Sequence, residues 1–510
     1  MRFLALLLTL LTLAVATLTA CGKDAAPASS GAASLAPTDA VVYAEATISP
    51  SGDQKQQLED LLAKFPGGKD VGAKIEQALE DAVSESDGSI SYKDDIKPWL
   101  GDDAAVFVGG FGVGSEPRDI AVLLATDDED KALAAVKKSE PKAKQASYED
   151  VDYITFTDDG DAMAAGTLDG WLVVGTISGF KSAVSASEGG GLAGTDQYEQ
   201  ALKGADEDRL GFVYVDTKAL VDLAAGMPGG GQALKSFSGL TEPVVATVSA
   251  DADGAEIAAT VQTDGKSPFG PLIGEGSELL GDVPADAWLA LGQPDLGKTI
   301  ELQLDQLGDS VASKDQIEQQ LRGATGLSLD EALGWMGDFS LFVRGETLSE
   351  LGGALVVQTT DEADSAKTLK AIQRLASSAA QGTQVRPLGI PGNGFMLTGP
   401  ELPQPIYLYQ RDGHVVIAYG KQAAEDALDA PEKLADSSDF KAASAALGDG
   451  YGVSTYLAIA PILKLVDSTP LAGQADYQQA KRYLEPLGAL IAGSKQDGDS
   501  LASVLRLTVP

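Results

Sequence analysis

The sequence predicts an α+β protein: two tandem homologous copies with largely antiparallel sheets flanked by helices, after a lipoprotein signal peptide and a flexible tether. Three observations carry this. Strand-like segments outnumber the helical segments between them, and several are joined by hairpin turns, which argues against a doubly wound parallel sheet. The same series of local patterns runs through the chain twice, in one order. The sole cysteine of 510 residues, Cys21, closes an apolar run that begins at the N-terminus.

The first element is that run. Met1-Arg2 is a short positive stretch, and Phe3 to about Thr17 is apolar. Its length suits a signal peptide and is short for a transmembrane helix. Leu18-Thr19-Ala20-Cys21 resembles a bacterial lipobox. Small residues at Thr19 and Ala20 fit a peptidase groove, with cleavage after Ala20 and a lipid thioether on Cys21. Each buried methylene is worth about 0.8 kcal/mol, so two or three acyl chains anchor stably. Residues 1–20 are therefore expected to be a signal peptide, and the mature chain to be extracytoplasmic and lipid-anchored to the cell membrane. Residues 21–35 have almost nothing to bury and are expected to form a disordered tether, about 20 Å long in root-mean-square terms.

The first copy is expected over 36–266. Val41 to Ile48 reads as a strand, and Gly52 to Phe65 as a helix with Leu58, Leu61, Leu62 and Phe65 on one face. Ile75, Leu79 and Val83 mark a second helix. Ala104 to Val108 and Ile120 to Ala125 read as strands, and Thr126-Asp127-Asp128-Glu129 as a capping box opening the next helix. Strands follow at Tyr153–Phe156, Ala162–Gly166 and Trp171–Gly175. Helices are expected near Phe180–Ala186 and Gln197–Lys203, then a strand at Gly211–Val215 and a helix at Ala219–Ala225. A hairpin over Val244–Gln262 closes the copy.

The second copy is expected over 282–510, after a connector at 267–281. Pro37-Thr38-Asp39-Ala40 returns as Pro284-Ala285-Asp286-Ala287. Trp99-Leu100-Gly101-Asp102 returns as Trp335-Met336-Gly337-Asp338, and Asp169-Gly170-Trp171 as Asp412-Gly413-His414. Thr359-Thr360-Asp361-Glu362 repeats the capping box. The copies could be separate domains or interlocked halves of one body.

Composition narrows the function. Hydrophobic content of 44% implies a sizeable core. A net charge of −38 repels nucleic acid and anionic lipid, so nucleic acid is excluded as a partner. With Cys21 lipidated, no disulfide within the chain can form.

The residues also carry a resemblance. Leu35-Ala36-Pro37-Thr38-Asp39-Ala40, Ser51-Gly52-Asp53-Gln54-Lys55 and Asp95-Ile96-Lys97-Pro98-Trp99-Leu100-Gly101-Asp102 resemble an uncharacterised bacterial family, the domain of unknown function 3352. The likeness covers most of the mature chain. It implies an envelope protein without an established activity and supplies no catalytic residues.

Several motifs match catalytic patterns and are set aside. Gly292-Gln293-Pro294-Asp295-Leu296-Gly297-Lys298-Thr299 fits a phosphate loop, but Pro294 removes an N–H and Asp295 puts a negative charge where phosphate would sit. Nucleotide is therefore not expected as a ligand. Ser178-Gly179-Phe180-Lys181 fits the SxxK of penicillin-binding enzymes, without the accompanying SDN and KTG elements. The second-copy residues set against it are Lys421-Gln422-Ala423-Ala424. His414, the sole histidine, has no nucleophile elbow to serve, and one His without free Cys builds no ordinary zinc site. The acidic runs at 127–130, 158–161 and 251–254 suit a helix start and turns, and none matches an EF-hand loop. Trp99 and Trp335 are expected to pack at a sheet edge, and Gly109 to Gly114 to form a hairpin.

No catalytic, cofactor-binding or metal site is therefore expected; lipid attachment at Cys21 and cleavage after Ala20 are. The leading expectation is a membrane-anchored, non-catalytic binding or envelope-assembly protein, its partner an unidentified envelope ligand or protein. One alternative is an extracytoplasmic hydrolase using carboxylates alone, which needs only two placed acids. Another is a structural spacer of the envelope.

Overall fold

Alternating and β-branched runs make strands where two-residue turns can return the chain. In the computed structural model, residues 31–86, 90–111, 117–158, 160–203, 209–225, 242–262, 276–307, 314–379, 384–498 and 500–510 are described. They fall into two units, the first ending at Gln262 and the second running on to Pro510.

The first unit contains strands β1 (Val42–Thr47), β2 (Leu100–Phe111), β3 (Pro117–Thr126), β4 (Lys144–Tyr148), β5 (Val151–Asp158), β6 (Asp161–Leu168), β7 (Trp171–Thr176), β8 (Gly211–Val215), β9 (Val244–Asp251) and β10 (Gly254–Gln262). They pair in the order β4-β5-β6-β7-β3-β2-β1-β8-β9-β10, antiparallel throughout. The second unit contains β11 (Ala287–Gln293), β12 (Met336–Arg344), β13 (Gly352–Thr359), β14 (Gln384–Pro387), β15 (Asn393–Thr398), β16 (Ile406–Arg411), β17 (His414–Tyr419), β18 (Gly452–Ala458), β19 (Ala489–Asp497) and β20 (Ser500–Thr508). Their order is β14-β15-β16-β17-β13-β12-β11-β18-β19-β20, again antiparallel throughout. The order is the same in both units once β1 is set against β11.

Local chemistry fixes the hairpins. Asp169-Gly170 joins β6 to β7 with φ of 50° and 81°, and Asp412-Gly413 joins β16 to β17 with 50° and 72°. Two positive φ values make the type I′ turn that matches strand twist, and an Asx-Gly pair tolerates them.

The middle of the first sheet is buried on both faces. Tyr43, Phe107, Leu123, Val173 and Phe212 point to one face, against Phe180 and Val184 of helix Ile177–Gly189. Val122, Leu124, Leu172 and Val174 point to the other, against Val83 and Val136 of helices Val71–Ser86 and Glu129–Ser139. Each large apolar side chain so buried contributes about 1.5 to 3 kcal/mol. In the second unit Trp335, Val357, Leu369, Phe395, Leu408 and Val415 form an equivalent cluster.

Four expectations are corrected. The tether does not extend to residue 35: Gly31–Ser34 is a 3-10 helix, and Ala32, Ala33, Leu35 and Ala36 are at most 2% exposed in the core. Small residues that cannot form a core can still complete one. The connector likewise ends early, because Leu279–Asp282 is helical with Leu280 buried against the second unit; residues 267–275 lie outside the described set. The capping boxes are single caps placed later: Asp128 accepts from Lys131 N, and Asp361 from Ala363 N and Asp364 N. An Asp directly before the helix reaches these N–H groups, while Thr126 Oγ1 accepts from Asp128 N instead. A reciprocal box does occur at Ser328 and Glu331. Finally, strands stand at β4 and β14, where the sequence pattern marks none. No helix among the described residues is long and apolar enough to cross a membrane.

Candidate functional site

Ala20 and Cys21 lie outside the described residues. The phosphate-loop-like segment is a strand, a turn and helix Leu296–Leu307. Lys298 Nζ is 2.8 Å from Asp295 Oδ2, so the carboxylate sits by the lysine that would neutralise a phosphate. Gly297 is required for packing, because a Cβ there would strike Leu333 O. Ser178 follows the N-cap Thr176, and Lys181 lies 5.0 Å from the Tyr148 ring centre. Gly179, Phe180 and Ala183 are buried on one helix and Ala423, Ala424 and Ala427 on the other, which sets Ser178 against Gln422 and corrects the earlier alignment by one residue.

His414 is partly exposed, and its Nδ1–H donates to Asp412 O at 2.7 Å. Trp99 and Trp335 are both 3% exposed, each directly before a strand. Their indole N–H groups donate to Asp95 O at 2.6 Å and Thr368 Oγ1 at 3.2 Å, so both pack rather than wait for a ligand. Of the expected Gly109–Gly114 hairpin, 112–114 lie outside the described residues. Among the described residues no three His, Cys, Asp or Glu side chains converge on a metal position.

Among the described residues two polar constellations join partly buried charges across distant segments, one in each unit. In the second, a pocket of about 520 Å³ is lined by Asp286, Arg344, Glu346, Glu350, Gln404 and Gln422, with glycines at 345, 352 and 420. Arg344 ends β12 and is held from two sides, its guanidinium 2.5 Å from Asp286 Oδ2 and 2.6 Å from Asp426 Oδ2. Gln422 Nε2 donates to the same Asp426 oxygen at 2.8 Å, from one turn earlier on helix Lys421–Asp429. Gln404 braces the rim, its Nε2 donating to Leu351 O at 2.8 Å and Ser349 O at 3.2 Å. Gly420 has φ 91°, and a Cβ there would meet Gln404 Oε1 at 2.5 Å. Lys464 pairs with Glu346 at 2.8 Å. The volume is that of a small-molecule site.

In the first unit, Tyr43, Glu45 and Thr47 alternate onto one face of β1. Tyr43 OH donates to Glu45 Oε2 at 2.7 Å, and Arg209 lies 3.1 Å from Glu45 Oε1. Both ion-pair side chains are mostly buried, at 10% and 15% exposure. Thr47 Oγ1 donates to Asp103 Oδ1 at 3.1 Å. Burial, with the charges of Glu45 and Asp102 adding, pushes the Asp103 carboxyl up to about 6. Tyr198 packs edge-on against Tyr43, Phe212 and Tyr214. Its hydroxyl is buried without a partner among the described residues, and burial raises its pKa.

A family model described as a protein of unknown function, DUF3352, matches residues 3–503. The chain belongs to that family. The description assigns the family no activity, so no site residue is inherited from it. No curated protein matches the chain. Three solved structures, titled as crystal forms III, IV and I of TP0453, are similar to parts of it at 8% identity. Forms III and IV cover 45% of this chain and 79% of theirs, with TM-scores of 0.23 and 0.24; form I covers 45% and 77%, with 0.23. Superposition at that level does not define a shared fold.

Neither constellation was assembled from the sequence, because Arg344 and Asp426 are 82 residues apart and Glu45 and Arg209 are 164 apart. A signal did exist. Glu45 sits inside an apolar strand in the same alternation class as Tyr43, and Arg344 follows Leu341-Phe342-Val343. A charge inside a buried strand calls for a partner.

Proposed function

We propose that this member of the DUF3352 family is an extracytoplasmic, lipid-anchored binding or envelope-assembly protein that captures a ligand without turning it over. Its signal peptide spans 1–20 and its anchor is Cys21, as the lipobox supports. Its two units are copies of one fold, a reading supported by their common strand order. The ligand site is the pocket beside Arg344. The observation carrying this is that Arg344, fixed by Asp286 and Asp426, braces the wall of a 520 Å³ cavity lined by polar side chains that a ligand can reach. The test is a thermal-shift screen of envelope lipids, peptidoglycan fragments and sugars against the form lacking residues 1–21, with product analysis. A saturable shift without turnover, lost in Gln404→Ala, supports the reading. Turnover of any hit contradicts it. Labelled palmitate incorporated equally by wild type and Cys21→Ser contradicts the anchor.

One observation favours a second reading, a hydrolase using carboxylates. Asp103, pushed up to about 6, lies near Glu45 on one sheet face, and two carboxyls with different environments are what acid–base cleavage needs. Product release abolished by Asp103→Asn is its signature.

A further inference from the structure

In the pocket beside Arg344 the guanidinium is held between two carboxylates, while side-chain acceptors are left open. The terminal nitrogens of Arg344 go to Asp426 and Asp286. The Gln404 amide N–H groups go to Leu351 O and Ser349 O, and Gln422 Nε2 goes to Asp426. The amide oxygens of Gln404 and Gln422 accept no hydrogen bond among the described residues. Glu350 Oε2 accepts from Thr347 at 3.0 Å, and Glu346 Oε1 faces Lys464, which leaves one oxygen of each carboxylate. Charge runs the same way. Counting Lys464 and the Asp426 carboxylate behind Arg344, two cations face four carboxylates.

A ligand for such a wall must bring several donors and positive charge. An ammonium brings three N–H donors and a guanidinium five. A carboxylate or phosphate brings acceptors to a wall of acceptors and meets repulsion from Glu346 and Glu350. A metal ion needs converging oxygens, and among the described residues no three acidic side chains converge. The acceptors instead surround a cavity large enough for a small organic molecule.

We propose that this pocket binds a small organic cation, carrying an ammonium or guanidinium group, through Glu350, Glu346 and the amide oxygens of Gln404 and Gln422. The inference rests on the binding reading of this pocket and names its ligand class. Binding weakens with salt, because part of the attraction is between partly exposed charges.

The test is calorimetric titration of the full chain in non-ionic detergent with three four-carbon probes: putrescine, 1,4-butanediol and succinate. They share a length and differ in ending in ammonium, hydroxyl or carboxylate. The expected result is saturable binding of putrescine alone, weakened at least fivefold in Glu350→Gln and in Gln404→Ala. Glu318→Gln, on helix Lys314–Thr325 and away from the lining, is expected to leave it unchanged. Equal weakening in Glu318→Gln would assign the binding to general acidity and overturn the proposal. Succinate or butanediol binding that is lost in Gln404→Ala would overturn the ligand class while leaving the binding reading intact. Absence of saturable putrescine binding also overturns the proposal, and absence of any saturable hit in the wider screen removes the binding reading with it.

Discussion

The two units hold the same strands in the same order and differ in where they bury polarity. On β1, Tyr43 pairs with Phe107 and Tyr214; on β11, Ala290 pairs with Phe342 and Tyr456. Two residues on, Glu45 faces Ala105 and Phe212 in the first unit, and Gly292 faces Ser340 in the second. The space of the glutamate is filled there by Leu280, whose Cβ lies 2.8 Å from where a Cβ on Gly292 would stand. The second unit carries its buried charge elsewhere. Arg344 ends β12 at the register position of Gly109 in β2, and a Cβ on Gly109 would already be 3.0 Å from Asp119 Cβ. Each unit therefore carries a charged constellation at a different place in the frame, and the one in the second unit lines a pocket. Position in the frame does not dictate function; the side chains that fill each place do.

The hardest test of this contrast is to move the glutamate. Gly292→Glu puts a carboxylate into the Leu280 contact with no arginine opposite. It is expected to destabilise the second unit by about 3 kcal/mol or more, read as a lower urea midpoint for that unit. An unchanged midpoint would mean that the site is open and the contrast illusory.

Breaking the other constellation comes next. Arg344→Met leaves Asp426, 8% exposed, without its cation. A loss of about 2 to 4 kcal/mol is expected, of which Arg344→Met with Asp426→Leu recovers most. A double variant no better than the single would show that the arginine acts by packing alone.

Asp103 gives the contrast a pH dependence. Its folded pKa, about 6, lies above its unfolded value of about 3.9, so the folded state holds the proton more tightly. Stability of the first unit is then greatest below the unfolded value, falls as pH rises between the two, and is lowest above the folded value. Asp103→Asn is expected to flatten that fall and to gain on the order of 1 to 2 kcal/mol above neutrality. A fall that persists in the variant would assign it to another group.

The smallest effect tests whether the units are interchangeable. Tyr198 packs on Tyr214 as Phe440 packs on Tyr456, with ring centres 5.6 and 5.2 Å apart. Removing the unpartnered hydroxyl by Tyr198→Phe copies the second unit into the first. It is expected to be neutral or to stabilise by roughly 1 kcal/mol, measured by thermal unfolding. A clear loss would reveal a hidden partner for the hydroxyl.

Legibility followed burial. Trp171 to Gly175, buried at every residue, and Gly211–Val215 were readable as strands because their apolar content leaves no other period. Lys144-Gln145-Ala146-Ser147-Tyr148 was not, because an edge strand takes its order from hydrogen bonds to β5 and need not be apolar. Gly31 to Leu35 reads as tether because alanine and serine carry little hydrophobic signal, although the core closes over Ala32, Ala33 and Leu35. The hairpin turns were legible from Asx-Gly pairs. The sites were not, since each joins residues from strands and helices that meet only after the sheet is assembled.

The most direct measurement of the central claim is hydrogen exchange of the full chain with and without a hit from the envelope screen. Binding without turnover at the second unit predicts protection confined to peptides around Asp286, Arg344 to Gly352, Gln404 and Gly420 to Ala423, with the ligand recovered intact. Protection centred on β1, Asp103 and β8 instead, with product released and lost in Asp103→Asn, would contradict it.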